Sequence, residues 1–203
     1  MGCEVDIVCA CGAVRGRLHD AGPSTGVRSN CYCADCQAYA HFLGCADTVL
    51  DGHGGTDIYL IGAGHLELTA GTEQLACVRL TPGGPQRWYA QCCNTPIANL
   101  GRVPGIAFVG MIRACWDAEV DRIGPSRGGI HARTARGDRT ALDATDGMAP
   151  AILVRVLVTL VVDRLRGRHR CRPFADPDSG RSLVAPRQLG PAEYQALLAA
   201  TSA

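Results

Sequence analysis

The apolar positions change period along the chain. Near the N-terminus Glu4-Val5-Asp6-Ile7-Val8 alternates, Cys9-Ala10-Cys11-Gly12 marks a turn, and Ala13 to Leu18 alternates again, which predicts a hairpin. Residues 21–30 are rich in Gly, Pro and Ser and read as a loop. Gln37–Leu43 reads as a short helix after a cysteine cluster. Between 45 and 121 the short runs Thr56–Ile61, His65–Thr69, Leu75–Leu80, Arg87–Ala90 and Ile106–Ile112 are punctuated by Gly54-Gly55 and Pro82-Gly83-Gly84-Pro85, the pattern of an all-β core. Residues 122–147 carry Gly, Arg, Asp and Thr without apolar periodicity and read as a loop or linker. Residues 149–166 switch to helical period: Arg155, Thr159, Asp163 and Arg166 fall on one polar stripe, and nearly every other position is apolar. A helix this apolar is expected to be largely buried, against the core or against a second copy. The tail Pro186–Leu198 ends in a second short helix that starts near Pro191.

These elements predict a mainly β fold of several coiled antiparallel β-sheets, with a C-terminal helical extension. The expected units are a β domain over 1–121, a linker over 122–147, and an extension over 148–203 that packs on the core or on a partner subunit.

Composition narrows the function classes. Of 203 residues, 47% are hydrophobic and 19% charged, so the chain is globular rather than disordered. The net charge of +1 points to neither a nucleic-acid nor a membrane partner. The charge is uneven: residues 1–60 hold three Arg against seven Asp and Glu, while residues 122–172 hold eleven Arg against four Asp. The basic half either faces an anionic ligand or balances the acidic half across a solvated surface. The apolar run Ala149–Val162 contains Arg155 and falls short of the roughly 20 residues a bilayer span needs.

Twelve cysteines are the strongest chemical signal. The start MGCEVDIVCACG lacks the basic and apolar regions of a secretory signal, and Asp6 breaks the myristoylation pattern, so a cytoplasmic chain with reduced thiols is expected. Close cysteine clusters then read as metal ligands or reactive thiols. Cys31-Tyr-Cys33-Ala-Asp-Cys36 supplies three thiolates from one turn, a fairly specific zinc signal. Three ligands leave a fourth position open to a thiol. The alternative is a closed site completed by Cys45, Cys92 or His41. Cys9 and Cys11 need partners from elsewhere, and Cys93, with or without Cys92, is the donor. Adjacent cysteines in a strand point to opposite faces, so one of that pair is alternatively a buried packing thiol. Cys3, Cys45, Cys77, Cys115 and Cys171 stand alone and default to small buried hydrophobes.

Three motifs together, Cys9-Ala-Cys11-Gly12-Ala-Val-Arg-Gly16, Cys31-Tyr-Cys33-Ala-Asp-Cys36-Gln37 and Arg87-Trp-Tyr…Cys93-Asn-Thr-Pro96, resemble the family of glutathione-dependent formaldehyde-activating enzymes and centromere protein V. The resemblance covers about residues 5–112. It implies a core of coiled β-sheets and two zinc sites. One is structural, from the Cys-x-Cys pair and a later Cys-x-x-Cys. The other is catalytic, from Cys31, Cys33 and Cys36 with a place left for glutathione. The family activity it implies is the condensation of formaldehyde with glutathione, of the carbon–sulfur lyase type. The chain departs from the family's Cys-x-x-Cys-Gly-Thr-Pro, because the first Cys falls on Ala90 and Asn94 replaces the Gly. Either Cys92 substitutes as ligand, or three cysteines serve, or this site is empty.

Three functions follow from these signals. The first is a zinc-dependent enzyme that takes a small thiol such as glutathione, with one or two zinc ions and Cys31, Cys33 and Cys36 as catalytic ligands. The second is a non-catalytic zinc module that binds a protein partner, most simply a homodimer through helix 149–166. The third is nucleic-acid binding through the arginines, which the neutral overall charge and the lack of interleaved aromatics disfavour. No residue stands out as a general base, although His41, His53 and His65 are candidates and Asp35 reads as a turn cap.

Overall fold

The computed structural model describes residues 2–101, 108–116 and 120–201. The strands are β1 (Cys3–Val8), β2 (Arg15–Ala21), β3 (Gly26–Cys31), β4 (Thr56–Gly62), β5 (Leu66–Ala70), β6 (Leu75–Arg79), β7 (Gln86–Ala90), β8 (Thr95–Leu100), β9 (Phe108–Ile112), β10 (Gly129–Ile130) and β11 (Arg187–Gln188). The helices are α1 (Ala34–Phe42), α2 (Ala46–Val49), α3 (Val120–Ile123), α4 (Pro150–Leu165) and α5 (Pro191–Thr201). The fold is mainly β. A small sheet has the order β1-β2-β5, and a large one the order β10-β3-β4-β9-β8-β7-β6-β11. Pairing is antiparallel except at the two ends of the large sheet, where β10 joins β3 and β11 joins β6 in parallel.

The core follows from β-strand alternation. In β4, Tyr59 and Ile61 belong to one buried apolar cluster, and Ile58 and Leu60 to another, so the clusters lie on opposite faces of the large sheet. On the first face pack Val5, Ile7 and Leu18 of the small sheet, with Trp88 and Met111. On the second pack Ala38 and Tyr39 of α1 and Ile152 and Val156 of α4. A strand covered on both sides is apolar at consecutive positions, which is why Ile58–Ile61 is an unbroken run.

The expected strands are present, with β3, β8 and the two-residue β10 and β11 as additions. Residues 106 and 107 of the run Ile106–Ile112 lie outside the described residues. β3 pairs with β4 over all six residues from Gly26 to Cys31 and delivers Cys31 to its C-terminal end. The stretch 122–147 is bound closely to the sheet. β10 pairs with β3, Thr134 Oγ1 donates to Tyr32 O at 2.8 Å, and Gln37 Nε2 donates to Thr134 O at 2.8 Å. The C-terminal extension reaches back over the core: Leu189 N donates to Arg79 O at 3.0 Å, and Tyr194, Leu197 and Leu198 pack against the second cluster.

Helix α4 lies where its period predicts, but it is not largely buried against the core: Leu153, Val154, Leu157, Val158, Val161 and Leu165 are exposed while part of the polar stripe turns inward. Its buried positions are Ile152, Val156, Thr159 and Asp163, so half of the polar stripe faces inward. The inversion has an electrostatic cause. Asp163 Oδ1 is 3.0 Å from His65 Nε2, both side chains are almost fully buried, and Arg168 Nη1 lies 3.7 Å from the same oxygen. His65 Nδ1 is fixed in turn by His19 O at 2.8 Å. Burying a carboxylate costs several kcal/mol unless it is paired, and this pairing draws Asp163 into the core. Gly62 makes it fit, because a Cβ there would collide with Asp163 Oδ2.

Candidate metal centre

Two groups of cysteine sulfurs converge, each with all Sγ atoms within 4.8 Å of one another: Cys9, Cys11, Cys92 and Cys93, and Cys31, Cys33 and Cys36. All twelve cysteines are free thiols.

The four-thiol group joins two turns. The first leaves β1 at Cys9, where Gly12 N donates to Cys9 O at 2.8 Å and Val14 N donates to Cys9 Sγ at 3.2 Å. The second links β7 to β8 through Gln91–Asn94. Asn94 takes a left-handed φ of 53°, a conformation that glycine adopts freely and asparagine tolerates best of the remaining residues. That accounts for Asn where the resembled family has Gly. It also answers the objection to adjacent ligands: Cys92 and Cys93 sit on a turn, not in a strand, and both sulfurs reach the same centre. Ala90, where the family pattern puts a Cys, is fully buried at the end of β7. Ala10 N donates to Thr95 Oγ1 at 3.0 Å and ties the two turns together.

The sulfur separations suit a tetrahedral thiolate site. They are 3.5 Å for Cys9–Cys11, 3.2 Å for Cys11–Cys92, 4.0 Å for Cys9–Cys92 and 3.8 Å for Cys92–Cys93. Zinc–sulfur bonds of about 2.3 Å in a tetrahedron would place sulfurs roughly 3.8 Å apart. Within the group the thiols differ. Desolvation and hydrogen bonding to Cys11, Cys93 and Cys9 push Cys92 up to about 12. Desolvation also raises Cys93, but hydrogen bonds from Thr95 and the Cys11 and Thr95 backbone outweigh it and lower the thiol to about 6.

The three-thiol group is built at the junction of β3 and α1. Cys31 closes the strand, Cys33 is the N-cap of α1, and Cys36 lies in the first turn, with Cys36 N donating to Cys33 Sγ at 3.3 Å. A helix N-terminus favours negative charge, yet at the N-cap the hydrogen bond from Cys31 that lowers the Cys33 thiol is outweighed by hydrogen bonding to Cys36, burial and the Cys36 charge, which push it up to about 12. Cys31 Sγ is 3.5 Å from Cys33 Sγ and 3.6 Å from Cys36 Sγ. Hydrogen bonds from Cys31 and Cys33 hold Cys36 well below its ordinary value, against the burial that raises it, with Arg87 assisting. Cys31 is raised in turn by hydrogen bonding to Cys33 and Cys36 and by burial. Among the described residues no fourth His, Cys, Asp or Glu joins the trio within that distance. The alternatives weighed for a closed site are engaged elsewhere. Cys45 Sγ contacts Ala40 O at 3.7 Å, His41 Nε2 lies 3.2 Å from Arg136 Nη2, and Cys92 belongs to the other group.

Around the trio the structure adds Arg87 and Tyr194, to which the sequence assigned no role, and gives Asp35 a different one. Arg87, in β7, is 2% exposed. Its Nη1 lies 3.7 Å from Cys36 Sγ and donates to Asn99 Oδ1 at 3.0 Å, its guanidinium stacks 5.3 Å from the centre of the Tyr39 ring, and its Nη2 is 3.7 Å from Asp35 Oδ2. Burial pulls the Arg87 pKa down, yet Cys36, Cys33 and Asp35 raise it further, so the guanidinium stays charged. Asp35, expected to cap the turn, instead accepts a 2.5 Å hydrogen bond from Tyr194 Oη of α5. In the sequence Arg87 stood only as the first residue of the Arg87-Trp-Tyr motif that carried part of the family resemblance, with no role attached to it. Asp35 and Tyr194 are 159 positions apart and share no motif.

The histidine candidates are committed to other contacts: His53 Nδ1 to Arg136 O at 2.9 Å, and His65 to Asp163. Of the lone cysteines, Cys77 and Cys115 are buried as expected, Cys3 and Cys45 are half-buried, and Cys171 is exposed. No described helix is long and apolar enough to cross a membrane. No curated protein matches the chain. One family model matches residues 1–183, a span that includes both cysteine groups and ends before α5, and the chain accordingly belongs to a family of unknown function, DUF6151.

Proposed function

We propose that the protein is a zinc-dependent, thiol-binding enzyme of the carbon–sulfur lyase type, acting on the adduct of a glutathione-like thiol with a small aldehyde. The observation that carries this reading is the contrast in ligand number: four converging sulfurs in one group, three in the other. Cys9, Cys11, Cys92 and Cys93 would hold a structural ion. Cys31, Cys33 and Cys36 would hold a second, with a position left for substrate sulfur. Zinc held by three thiolates supplies a soft site at which a further thiol becomes more acidic. The chain's own residues do the rest. The backbone N–H of Cys36 and the N-terminus of α1 favour anionic sulfur, and the charged Arg87 balances the trio from the buried side. Asp35 and Tyr194 fix the guanidinium from α1 and α5. In the reaction itself a thiol sulfur forms a bond to the carbonyl carbon, the C=O π pair passes to oxygen, and the proton lost by the thiol is matched by one gained there. No oxidant or reductant is needed. The resemblance to the formaldehyde-activating family supports this assignment at the level of motifs.

The exposed apolar face of α4 favours the second reading, a zinc-binding interaction module, and one experiment separates the two. Glutathione, then formaldehyde, is titrated into the zinc-loaded full chain. The proposal expects thiol-dependent heat, aldehyde consumption, and loss of both in Cys36→Ser. X-ray absorption should give two zinc ions, one with three sulfurs and a lighter atom. Heat that does not depend on the thiol, or a single four-sulfur ion, would overturn it.

A further inference from the structure

The inward turn of α4 leaves six large apolar side chains outside: Leu153 at 45% exposure, Val154 at 59%, Leu157 at 49%, Val158 at 56%, Val161 at 58% and Leu165 at 83%. At about 100° per residue they occupy one arc, opposite the buried stripe of Ile152, Val156, Thr159 and Asp163. The arrangement is held by a specific device. The His65–Asp163–Arg168 network fixes the helix rotation, so rolling the apolar face inward would break the buried His65–Asp163 hydrogen bond and the Asp163–Arg168 ion pair.

We infer that this face is a homodimer interface in which α4 packs antiparallel against α4 of a second copy. The positions Val154, Val158, Val161 and Leu165 follow the i, i+4, i+7, i+11 spacing of a two-helix seam. Together the six side chains present on the order of 600 Å² per copy, the upper end of what a monomer leaves in one patch. Two copies present about 1,200 Å², where the range of specific interfaces begins.

The shape is self-complementary in the antiparallel sense. A mainly apolar trough of about 730 Å³ lies beside the N-terminal half of α4, walled by Ala149, Pro150, Val154 and Val158 and edged by Arg127 and Arg155. The most exposed ridge residue, Leu165, lies at the other end of the same helix. A two-fold axis near Leu157 and Val158 sets Leu165 of each copy into the trough of the other and matches Val154 with Val161. Every contact is then made twice, as an isologous interface requires. A parallel pair would instead bring the basic ends, with Arg164, Arg166 and Arg170, together. In the antiparallel pair they lie roughly 24 Å apart, the length of a 16-residue helix.

A lipid surface is the competing occupant, because apolar residues and arginine meet at the end of α4. The pattern fits it less well. The face is Val and Leu without the aromatic residues that seat in a membrane interface.

The test is sedimentation velocity of the full chain over about 1–100 μM, with circular dichroism as the fold control. The expected result is a dimer of twice 21.4 kDa. Val158→Glu and Val161→Glu, both at exposed positions and outside the cysteine groups, should raise the dissociation constant at least 100-fold with an unchanged spectrum. Two results would overturn the inference: a wild-type monomer at every concentration, or a dimer that survives both substitutions. Flotation of a monomeric wild-type chain with phosphatidylglycerol vesicles would assign the face to lipid instead. The outcome does not depend on zinc content or thiol binding.

Discussion

The two cysteine groups use the same chemistry at different reach. Cys31, Cys33 and Cys36 come from one strand end and one helix turn, so the group needs little of the fold to form. Cys9 and Cys11 meet Cys92 and Cys93 across more than 80 residues, joining the small sheet's first hairpin to the turn between β7 and β8 of the large sheet. A cross-link over a long loop constrains the unfolded chain more than a local one. The comparison therefore separates the two by ligand number and reach: the four-sulfur group, with Cys11 and Cys92 exposed, ties distant parts of the fold together, and the three-sulfur group, with Cys31 and Cys36 buried and Cys33 half-buried, is local.

The largest expected effect tests that division directly. Cys92→Ser should destabilise the zinc-loaded protein by on the order of 3–5 kcal/mol in urea unfolding, because structural metal binding is itself folding free energy. Cys36→Ser should cost about 1–2 kcal/mol while abolishing thiol-dependent turnover. Equal losses of stability from both would erase the distinction.

Metal-free protein sharpens the comparison kinetically. Thiolates, not thiols, alkylate. Cys93 is lowered to about 6 and is partly accessible, whereas its neighbour Cys92 is raised to about 12. Iodoacetamide at pH 7.5, followed by peptide mass mapping, should label Cys93 at least tenfold faster than Cys92. The rate should fall as pH drops through about 6, since protonation removes the nucleophile. Cys36 is also lowered, but its burial should keep it slow despite its charge. Fast labelling of Cys36 would mean that the trio is open in a way that the packing of β3 and α1 does not predict.

Asn94 probes the turn that makes Cys92 and Cys93 converge. Asn94→Gly should be close to neutral. Asn94→Ala should cost about 1–2 kcal/mol through the left-handed backbone. Zinc stoichiometry by atomic absorption should fall for Ala and not for Gly if the turn, rather than the side chain, positions the ligands.

How much of this was legible in the sequence follows from the range of each interaction. The local trio was readable outright, because its ligands lie within six positions. The four-sulfur group was readable only in outline. Cys9, Cys11 and Cys93 could be grouped, but whether Cys92 joined depended on the backbone being a turn, and its marker was a single Asn. β3 and β8 were not readable. Gly26-Val-Arg-Ser-Asn-Cys31 has loop composition and is a strand because β4 pairs with it along its length, and Thr95-Pro96 looks like a turn although it opens a strand. The period of α4 was correct, but against the core it buries only one side, and six large apolar side chains stay exposed. A polar stripe ordinarily faces water, and only a histidine 98 positions away turns this one inward.

The smallest expected effect concerns α5, which lies beyond the family-matched span and connects to the three-sulfur group indirectly, through the hydrogen bond of Tyr194 to Asp35. Tyr194 Oη donates to Asp35, whose other oxygen faces Arg87, whose guanidinium faces Cys36. Tyr194→Phe removes one hydrogen bond at a half-buried position and should cost about 1 kcal/mol in stability. If α5 only covers α1, thiol affinity stays at the wild-type value. If the chain of contacts positions Arg87, calorimetric thiol affinity falls about three- to tenfold, while zinc content and the unfolding behaviour of the four-sulfur group do not change. A loss of zinc from both groups would show that α5 supports the fold as a whole, and the separation between a long-range, fold-holding centre and a local one would then fail at its outer edge.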